Sequence, residues 1–158
     1  MPSADGITFE VTDDALRQWL DRAASKATGP ERSRLLDVMG AELESRTEQR
    51  FDNKLDPSGT RWAPLAESTK LRYAKKDGKR KRGSLLERSR LMRTSLSHQV
   101  DSDSVLVGFG VAYAVYHETG TERMPRRGLL TGDPATGLLG NSDREAVLAL
   151  LEANFADL

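Results

Sequence analysis

Hydrophobic and polar residues alternate over three short stretches of this chain. Alternation over Gly6–Val11 predicts an N-terminal strand. Two further stretches, His98–Asp101 and Ser104–Phe109, predict a hairpin because only a tight polar turn separates them. The sequence therefore predicts a small antiparallel sheet made of the N-terminal strand and the hairpin.

Elsewhere, apolar residues recur three and four positions apart, the spacing that places them on one face of a helix. In the longest such pattern, one side carries Leu35, Leu36, Met39, Leu43 and Thr47, with Phe51 close to it. A small sheet packed with several amphipathic helices belongs to the α+β class. The predicted helices are Thr12–Ala27, Glu31–Asn53, a short one from Pro64 through Tyr73, a helical stretch from Leu85 to Leu96, Tyr113–Glu118 ended by Gly120, and Asp143–Phe155.

Three polar stretches interrupt these elements. Asp56-Pro57-Ser58-Gly59 has Asp, Pro and Gly where a type I turn favours them. Gly78–Gly83 places four adjacent positive charges between glycines, and because these charges repel, it predicts an extended, mobile loop. Thr131–Ser142 is rich in glycine and predicts a second loop. At 158 residues, the chain is expected to form one domain.

Composition excludes several classes of site. The chain has no cysteine, so it holds no disulfide, zinc–thiolate site or iron–sulfur cluster of its own. Its first residues lack the basic and apolar regions of a signal peptide, and no stretch approaches the length of a membrane span. We therefore expect a soluble protein made in a cytoplasm, with no membrane partner. The apolar fraction of 37% is low, which suggests that neighbouring subunits complete some of the buried surface.

Charge is distributed unevenly, although the formal net charge is zero. The segment Lys70–Arg93, called the basic arm below, contains 11 Lys or Arg and two acidic residues, which gives +9. The remaining 13 basic and 22 acidic residues give −9. A chain with two such parts is suited to head-to-tail contact between copies or to docking on a charged partner.

His117-Glu118 is the first candidate for chemistry. A zincin helix needs a second histidine four positions later, where this chain has Thr121. The other histidine is His98, so the metal set is poor, although carboxylates could complete one. A Ser–His dyad stays open, but no Gly-x-Ser-x-Gly motif positions a serine. The sequence favours a structural or interface role for His117, and predicts no enzyme, no cofactor and no metal.

Two glycine-containing stretches each lack residues that a nucleotide-binding motif requires. Gly108–Tyr113 lacks the third glycine of a dinucleotide fingerprint, and Gly132–Gly137 is followed by leucines where a P-loop has Lys and Ser or Thr. The basic arm could lie on a phosphate backbone, with Tyr73 stacked on a base. Because aromatic residues do not interleave with its charges, we favour docking on an acidic protein surface and keep a nucleic-acid-binding module as the alternative.

A series of motifs resembles the phage virion morphogenesis family, also called tail completion proteins of Mu-like and related tailed phages. The resemblance begins near residue 35 and continues to the C-terminus. Residues 1–34 are expected to form an N-terminal strand and helix extension. It is carried by Phe51, then Asp56-Pro57-x-Gly59-x-x-Trp62-x-Pro64-Leu65, Thr69 and a Lys-rich loop, Leu85-Leu86 to Leu91, Val105 to Gly108, Tyr113-Ala114, His117 to Gly120, and Pro125-Arg126.

The resemblance implies a small α+β structural protein that acts as tail completion factor or terminator at the neck of the virion. It implies a ring, commonly a hexamer, with the tail tube and the neck or head-completion proteins as partners; transient contact with packaged DNA is a further expectation. Asp56, Pro57, Gly59, Trp62, Pro64 and Gly120 would be structural. The expected interface residues are Arg72, Lys75, Lys76, Lys79, Arg80, Lys81 and Arg82 in the basic arm, and Tyr113, Tyr116, His117, Arg126 and Arg127 beyond it.

Overall fold

The computed structural model describes residues 29–77, 85–87 and 89–155, together with Asp14, Arg17, Gln18 and Asp21. The predicted strand Gly6–Val11, most of the predicted helix Thr12–Ala27 and the loop Gly78–Gly83 lie outside these residues. The elements with defined bounds are helices α1 (Gly29–Asn53), α2 (Glu67–Asp77), α3 (Leu91–Thr94), α4 (Ala114–Thr119) and α5 (Asn141–Phe155), and strands β1 (Leu96–Val100) and β2 (Val105–Phe109).

These elements confirm the predicted α+β class. The two strands pair antiparallel, from Leu96 opposite Phe109 to Val100 opposite Val105. The predicted tight turn joins them, with the Asp101 amide donating to the Ser104 carbonyl at 2.8 Å. Within the described residues, no helix is both long enough and apolar enough to cross a membrane.

Helix α1 is the central element, and its predicted apolar face is confirmed. Leu35, Leu36 and Met39 are buried against Val147 and Leu151 of α5, and these five residues form the first core cluster. Burying a leucine or valine side chain fully is worth about 1.5–3 kcal/mol. The α1–α5 contact is therefore a main source of stability for this half of the molecule.

The far end of α1 belongs to a second core cluster around Phe51, whose side chain is fully buried. The Phe51 ring makes edge contacts with Trp62 at 5.9 Å and with Phe109 at 6.3 Å between centroids. Other members come from α3, β1, α4 and the following loop, namely Met92, Leu96, Ala114 and Leu129. Phe51 thus joins α1 to the hairpin and to two segments that carry sequence motifs. We call Asp56–Leu65 the first motif, and Tyr113–Arg126 with the loop that follows it the second motif.

Two predicted helices differ from the observed ones. Helix α2 extends to Asp77 and begins at Glu67 rather than at Pro64. It begins later because Arg127 binds the carbonyls of Ala63 and Pro64. The helical spacing from Leu85 to Leu96 yields only the single turn of α3. Leu86 and Arg90 have positive φ angles of 66° and 57°, which an α-helix does not accommodate.

Candidate assembly surfaces and the clamp between two motifs

The first motif begins with a turn whose geometry follows from Asp56. Its Oδ1 atom accepts hydrogen bonds from the amides of Ser58 at 2.9 Å and Thr60 at 2.8 Å, as an Asx turn does. The Gly59 amide closes the turn by donating to the Asp56 carbonyl at 2.9 Å. Gly59 has φ of 83°, a conformation that glycine adopts without strain. The predicted turn is therefore present, and it presents Trp62 to the core.

Trp62 and Arg127 connect this motif to the second one. The Trp62 indole N–H donates to the Gly128 carbonyl at 3.0 Å. Arg127 is buried, and it donates from Nε to the Ala63 carbonyl at 2.9 Å and from Nη2 to the Pro64 carbonyl at 3.1 Å. Burial lowers the pKa of Arg127. We call these contacts between residues 62–64 and 127–128 the clamp.

Arg126 binds the same region from the other side. Its Nε donates to the Glu118 carbonyl at 2.8 Å, its Nη2 to the Thr131 carbonyl at 2.6 Å, and its Nη1 lies 3.4 Å from Asp56 Oδ2. Gly120 ends α4 with φ of 75°, and a Cβ there would lie 3.0 Å from the Arg126 amide nitrogen. Within this chain, Arg126 and Arg127 thus bind main-chain carbonyls, and Arg126 also lies near the carboxylates of Asp56 and Glu118. Their expected interface role stays a prediction.

Glu118 organises the loop after Arg127 from within the core. Its side chain is 2% exposed. Oε2 accepts hydrogen bonds from the amides of Leu129 at 2.7 Å and Leu130 at 3.0 Å. Oε1 accepts from the Thr131 amide at 2.9 Å and hydroxyl at 2.6 Å. One carboxylate therefore fixes three consecutive residues.

Asp143 forms a second buried charge centre, at the start of α5. It is fully buried and accepts hydrogen bonds from the guanidinium groups of Arg50 and Arg46, the latter at 2.7 Å. Arg50 also donates to the Leu129 carbonyl at 2.8 Å. Nearby, a Cβ on Gly140 would overlap with the Pro57 carbonyl oxygen. These contacts join α1, α5 and both motifs into one unit.

The described ends of the basic arm are already engaged in the chain. Lys70 pairs with Glu67 at 2.5 Å, and the Arg72 guanidinium lies 5.7 Å from the Tyr73 ring centroid. At the other end, Arg93 binds Asp52 at 2.8 Å and Glu87 at 2.9 Å. The hydrogen bond from Arg93 lowers the pKa of Asp52. The side chains of Lys75 and Lys76, and all of Lys79, Arg80, Lys81 and Arg82, lie outside the described residues.

Helix α4 and the residue before it expose two aromatic side chains. Tyr113 is 40% and Tyr116 is 55% exposed, and the Tyr113 ring contacts His117 edge-on at 6.3 Å. Desolvation and the charge of Arg127 lower the pKa of His117, which favours the neutral imidazole. Its Nδ1 atom is buried and has no hydrogen-bond partner among the described residues. The interface role of these three residues stays a prediction.

His98 lies apart from His117, between β1 and α1. Its Nδ1 lies 2.5 Å from Glu44 Oε2 and its Nε2 lies 3.2 Å from Asp37 Oδ1. Burial opposes its charged form, but the hydrogen bonds to Glu44 and Asp37 outweigh this and raise the pKa of His98. Among the described residues, no set of three His, Asp or Glu side chains is arranged to hold a metal ion.

Sequence reasoning missed the roles of Glu118, Asp143 and Arg50. Two of them are charged residues in register with an apolar helix face: Arg50 follows Thr47 by three positions, and Asp143 precedes Val147 by four. A charged side chain on a buried helix face needs a partner of opposite charge or a hydrogen bond. The position of these two charges on apolar faces could therefore have predicted that they are buried and paired. It marks residues that hold the fold together rather than residues that react.

Comparison with known proteins gives one match. The model of the phage virion morphogenesis family matches residues 11–156. The match thus begins well before residue 35, where the quoted motifs begin. Searches of curated proteins and of solved structures found no significant match.

Proposed function

Since the chain belongs to the phage virion morphogenesis family, we propose that it is a structural virion protein that completes the phage tail at the neck. In this role it forms a ring, expected to be a hexamer, at the end of the tail tube and joins the tube to the head connector. It assembles in the host cytoplasm and remains in the finished virion. The family match supports the virion role. The position at the end of the tail is our more specific proposal.

The arrangement of the buried polar groups supports a scaffold rather than an enzyme. Glu118, Arg127 and Asp143 are buried, and their hydrogen bonds and ion pairs hold segments of the chain together. Among the described residues, the buried Nδ1 of His117 has no hydrogen-bond partner, so no carboxylate orients the imidazole through this atom as in a catalytic triad. A protein whose charged core residues hold a rigid shape is suited to being a building block.

The surface supports assembly through charge and exposed apolar groups. The +9 basic arm and the −9 remainder of the chain favour contact between unlike surfaces of adjacent copies. Tyr116, Leu91 and Leu71 are each more than half exposed. Tyrosines are enriched in protein interfaces because one end of the side chain is apolar and the other forms hydrogen bonds. A neighbouring subunit or a neck protein would cover these groups.

Two experiments test the proposal. Light scattering after size exclusion, at low and high salt, should show a species near six times 17.5 kDa at low salt that dissociates as salt screens the charges. Electron microscopy should show that species as a ring. Deleting the gene from a phage that carries it should leave filled heads and separate tails. Joined, infectious particles in the deletion strain would refute the tail-completion role.

The alternative is a nucleic-acid-binding module that uses the basic arm, and the 11 cations between Lys70 and Arg93 favour it. Such a module would bind duplex DNA as a monomer, with affinity falling steeply as salt rises. Neutralising Arg72 together with Lys75 and Lys76 would then reduce the salt slope by about 1 for each phosphate that these residues neutralise. A ring protein without this activity would show weak binding that is unchanged in these variants.

A further inference from the structure

Helix α2 is the least buried helix among those described. None of its residues from Glu67 to Ala74 is buried, and Leu71 is 63% exposed. Leu71 and Ala74 lie on one side of the helix because they are three positions apart, and Lys70 and Arg72 flank this side. The helix therefore presents a narrow apolar strip with a cation on each side.

The N-terminal end of α2 is nevertheless fixed in place. The clamp binds Trp62, Ala63 and Pro64 through three hydrogen bonds of 2.9–3.1 Å. Glu67 begins the helix only three residues after Pro64. An exposed helix on a fixed base has little freedom left to lose when it binds, which favours docking on a defined partner surface.

The outer side of α1 offers a surface of opposite charge. Its solvent-facing line runs through Asp37, Ala41, Ser45 and Glu48, and all four residues are exposed. The small side chains of Ala41 and Ser45 leave room for another helix to approach closely, and an acidic residue stands at each end. From Asp37 to Glu48 the line is about 16 Å long.

We propose that α2 of one subunit docks on the outer side of α1 of the next subunit, which deepens the proposed ring and rests on it. The two helices cross with Leu71 over Ala41 and Ser45. Lys70 and Arg72 then extend from opposite sides of α2 toward the two ends of the acidic line, Asp37 and Glu48; Asp37 contacts His98 through Oδ1 and has Oδ2 for this pair, and Lys70 exchanges its exposed partner Glu67. The partner is a second copy of this chain because the cationic strip and the acidic line are complementary in charge and in the placement of small and large side chains.

This contact joins two different surfaces, so it is heterologous. Each subunit offers one α2 and one α1, and repetition of the contact closes a ring when the rotation per subunit permits. A two-fold dimer that paired each surface with itself would instead place like charges together. The inference therefore predicts head-to-tail connectivity as well as the contact itself.

The absence of cysteine from the chain allows a direct test. A variant with both Leu71→Cys and Ala41→Cys is oxidised with copper phenanthroline and separated on a denaturing gel without reductant. Both positions are exposed, so the substitutions leave the core intact. Head-to-tail docking should give a ladder of covalent oligomers that ends at the ring order. Each single variant should give no species larger than a dimer.

The matched control pairs Leu71→Cys with Glu145→Cys, an exposed position on α5. This control should remain largely unlinked under the same conditions. Equal ladders in both double variants, no ladder, or a link within one chain would each overturn the inference. Light scattering and electron microscopy of the unoxidised protein show independently whether a ring forms. A ring without the Leu71–Ala41 ladder would therefore refute this contact and leave the proposed ring standing.

Discussion

Glu118→Gln tests whether one buried carboxylate holds the second motif in place. The substitution keeps the size of the side chain but replaces one carboxylate oxygen by an NH2 group. If that group takes the position of Oε2, it faces the amides of Leu129 and Leu130; at the position of Oε1, it faces the amide and hydroxyl of Thr131. At the position of Oε2, two buried amide donors therefore face another donor. At the position of Oε1 only the Thr131 amide does, because the Thr131 hydroxyl can rotate and accept a hydrogen bond from the NH2 group.

The expected loss follows from the less costly orientation, in which the Thr131 amide faces the NH2 group. A buried donor that loses its acceptor costs about 1–3 kcal/mol, so the free energy of unfolding should fall by about 1–3 kcal/mol. The hydrogen bonds that remain also weaken, because they no longer end on a charged oxygen. With a urea m-value of about 2 kcal/mol/M, the unfolding midpoint should fall by about 0.5–1.5 M.

The assay is urea unfolding followed by circular dichroism, with both proteins at the same concentration because assembly would add to stability. Glu122→Gln is the matched control, since Glu122 is an exposed residue of the same type shortly after Glu118 in the chain. Its free energy of unfolding should stay within about 0.5 kcal/mol of that of the parent protein. A Glu118→Gln protein as stable as the control would refute the role assigned to the carboxylate.

Three further substitutions have definite expected outcomes in the same assay. Gly140→Ala should destabilise the fold by about 1–3 kcal/mol, because the new Cβ would overlap with the Pro57 carbonyl oxygen. Asp143→Asn should cost about 3–5 kcal/mol, since it leaves Arg50 buried without its carboxylate. The pKa of His98 is raised in the folded protein. Its contribution to the free energy of unfolding is therefore complete below pH 6.5 and is lost as pH rises through the folded pKa. His98→Gln should remove this loss of stability with rising pH.

Each of these three substitutions has a control or a contrasting residue. Gly29→Ala meets no atom within 4 Å and should not destabilise, so equal losses at both glycines would contradict the clash. Glu145→Gln, exposed on α5, should be neutral beside Asp143→Asn. His117 has a lowered folded pKa, so it contributes stability that grows as pH rises toward 6.5. A His98→Gln protein that still loses stability above pH 6.5 would refute the assignment to His98.

The sequence predicted those parts of the fold that depend on local pattern. The apolar face of α1 is visible because Leu35, Leu36 and Met39 recur at helical spacing, and the hairpin is visible because its residues alternate. The same reasoning was wrong for Leu85–Leu96, where positive φ at Leu86 and Arg90 breaks the helix. Helical spacing alone does not record such backbone conformations.

The clamp could not be predicted, because its partners are far apart in the chain. Arg127 reads as a surface cation, since arginines are mostly exposed. Its burial depends on hydrogen bonds to the carbonyls of Ala63 and Pro64, which precede the observed start of α2. The motifs marked the right segments, but their spacing did not reveal that the segments bind each other.

The separation of the clamp's two halves also sets an order of folding. The bond from Trp62 to Gly128 spans 66 residues, and the Arg50–Asp143 pair spans 93. At about 5–20 residues per second, synthesis takes about 3–13 seconds to proceed from Trp62 to Gly128. During that time α2 has no fixed base, because Arg127 has not yet been made. Helix α2 is therefore held in place only after the second motif has been made, and chains on a polysome that have not yet reached Arg127 lack the fixed helix that would link them together.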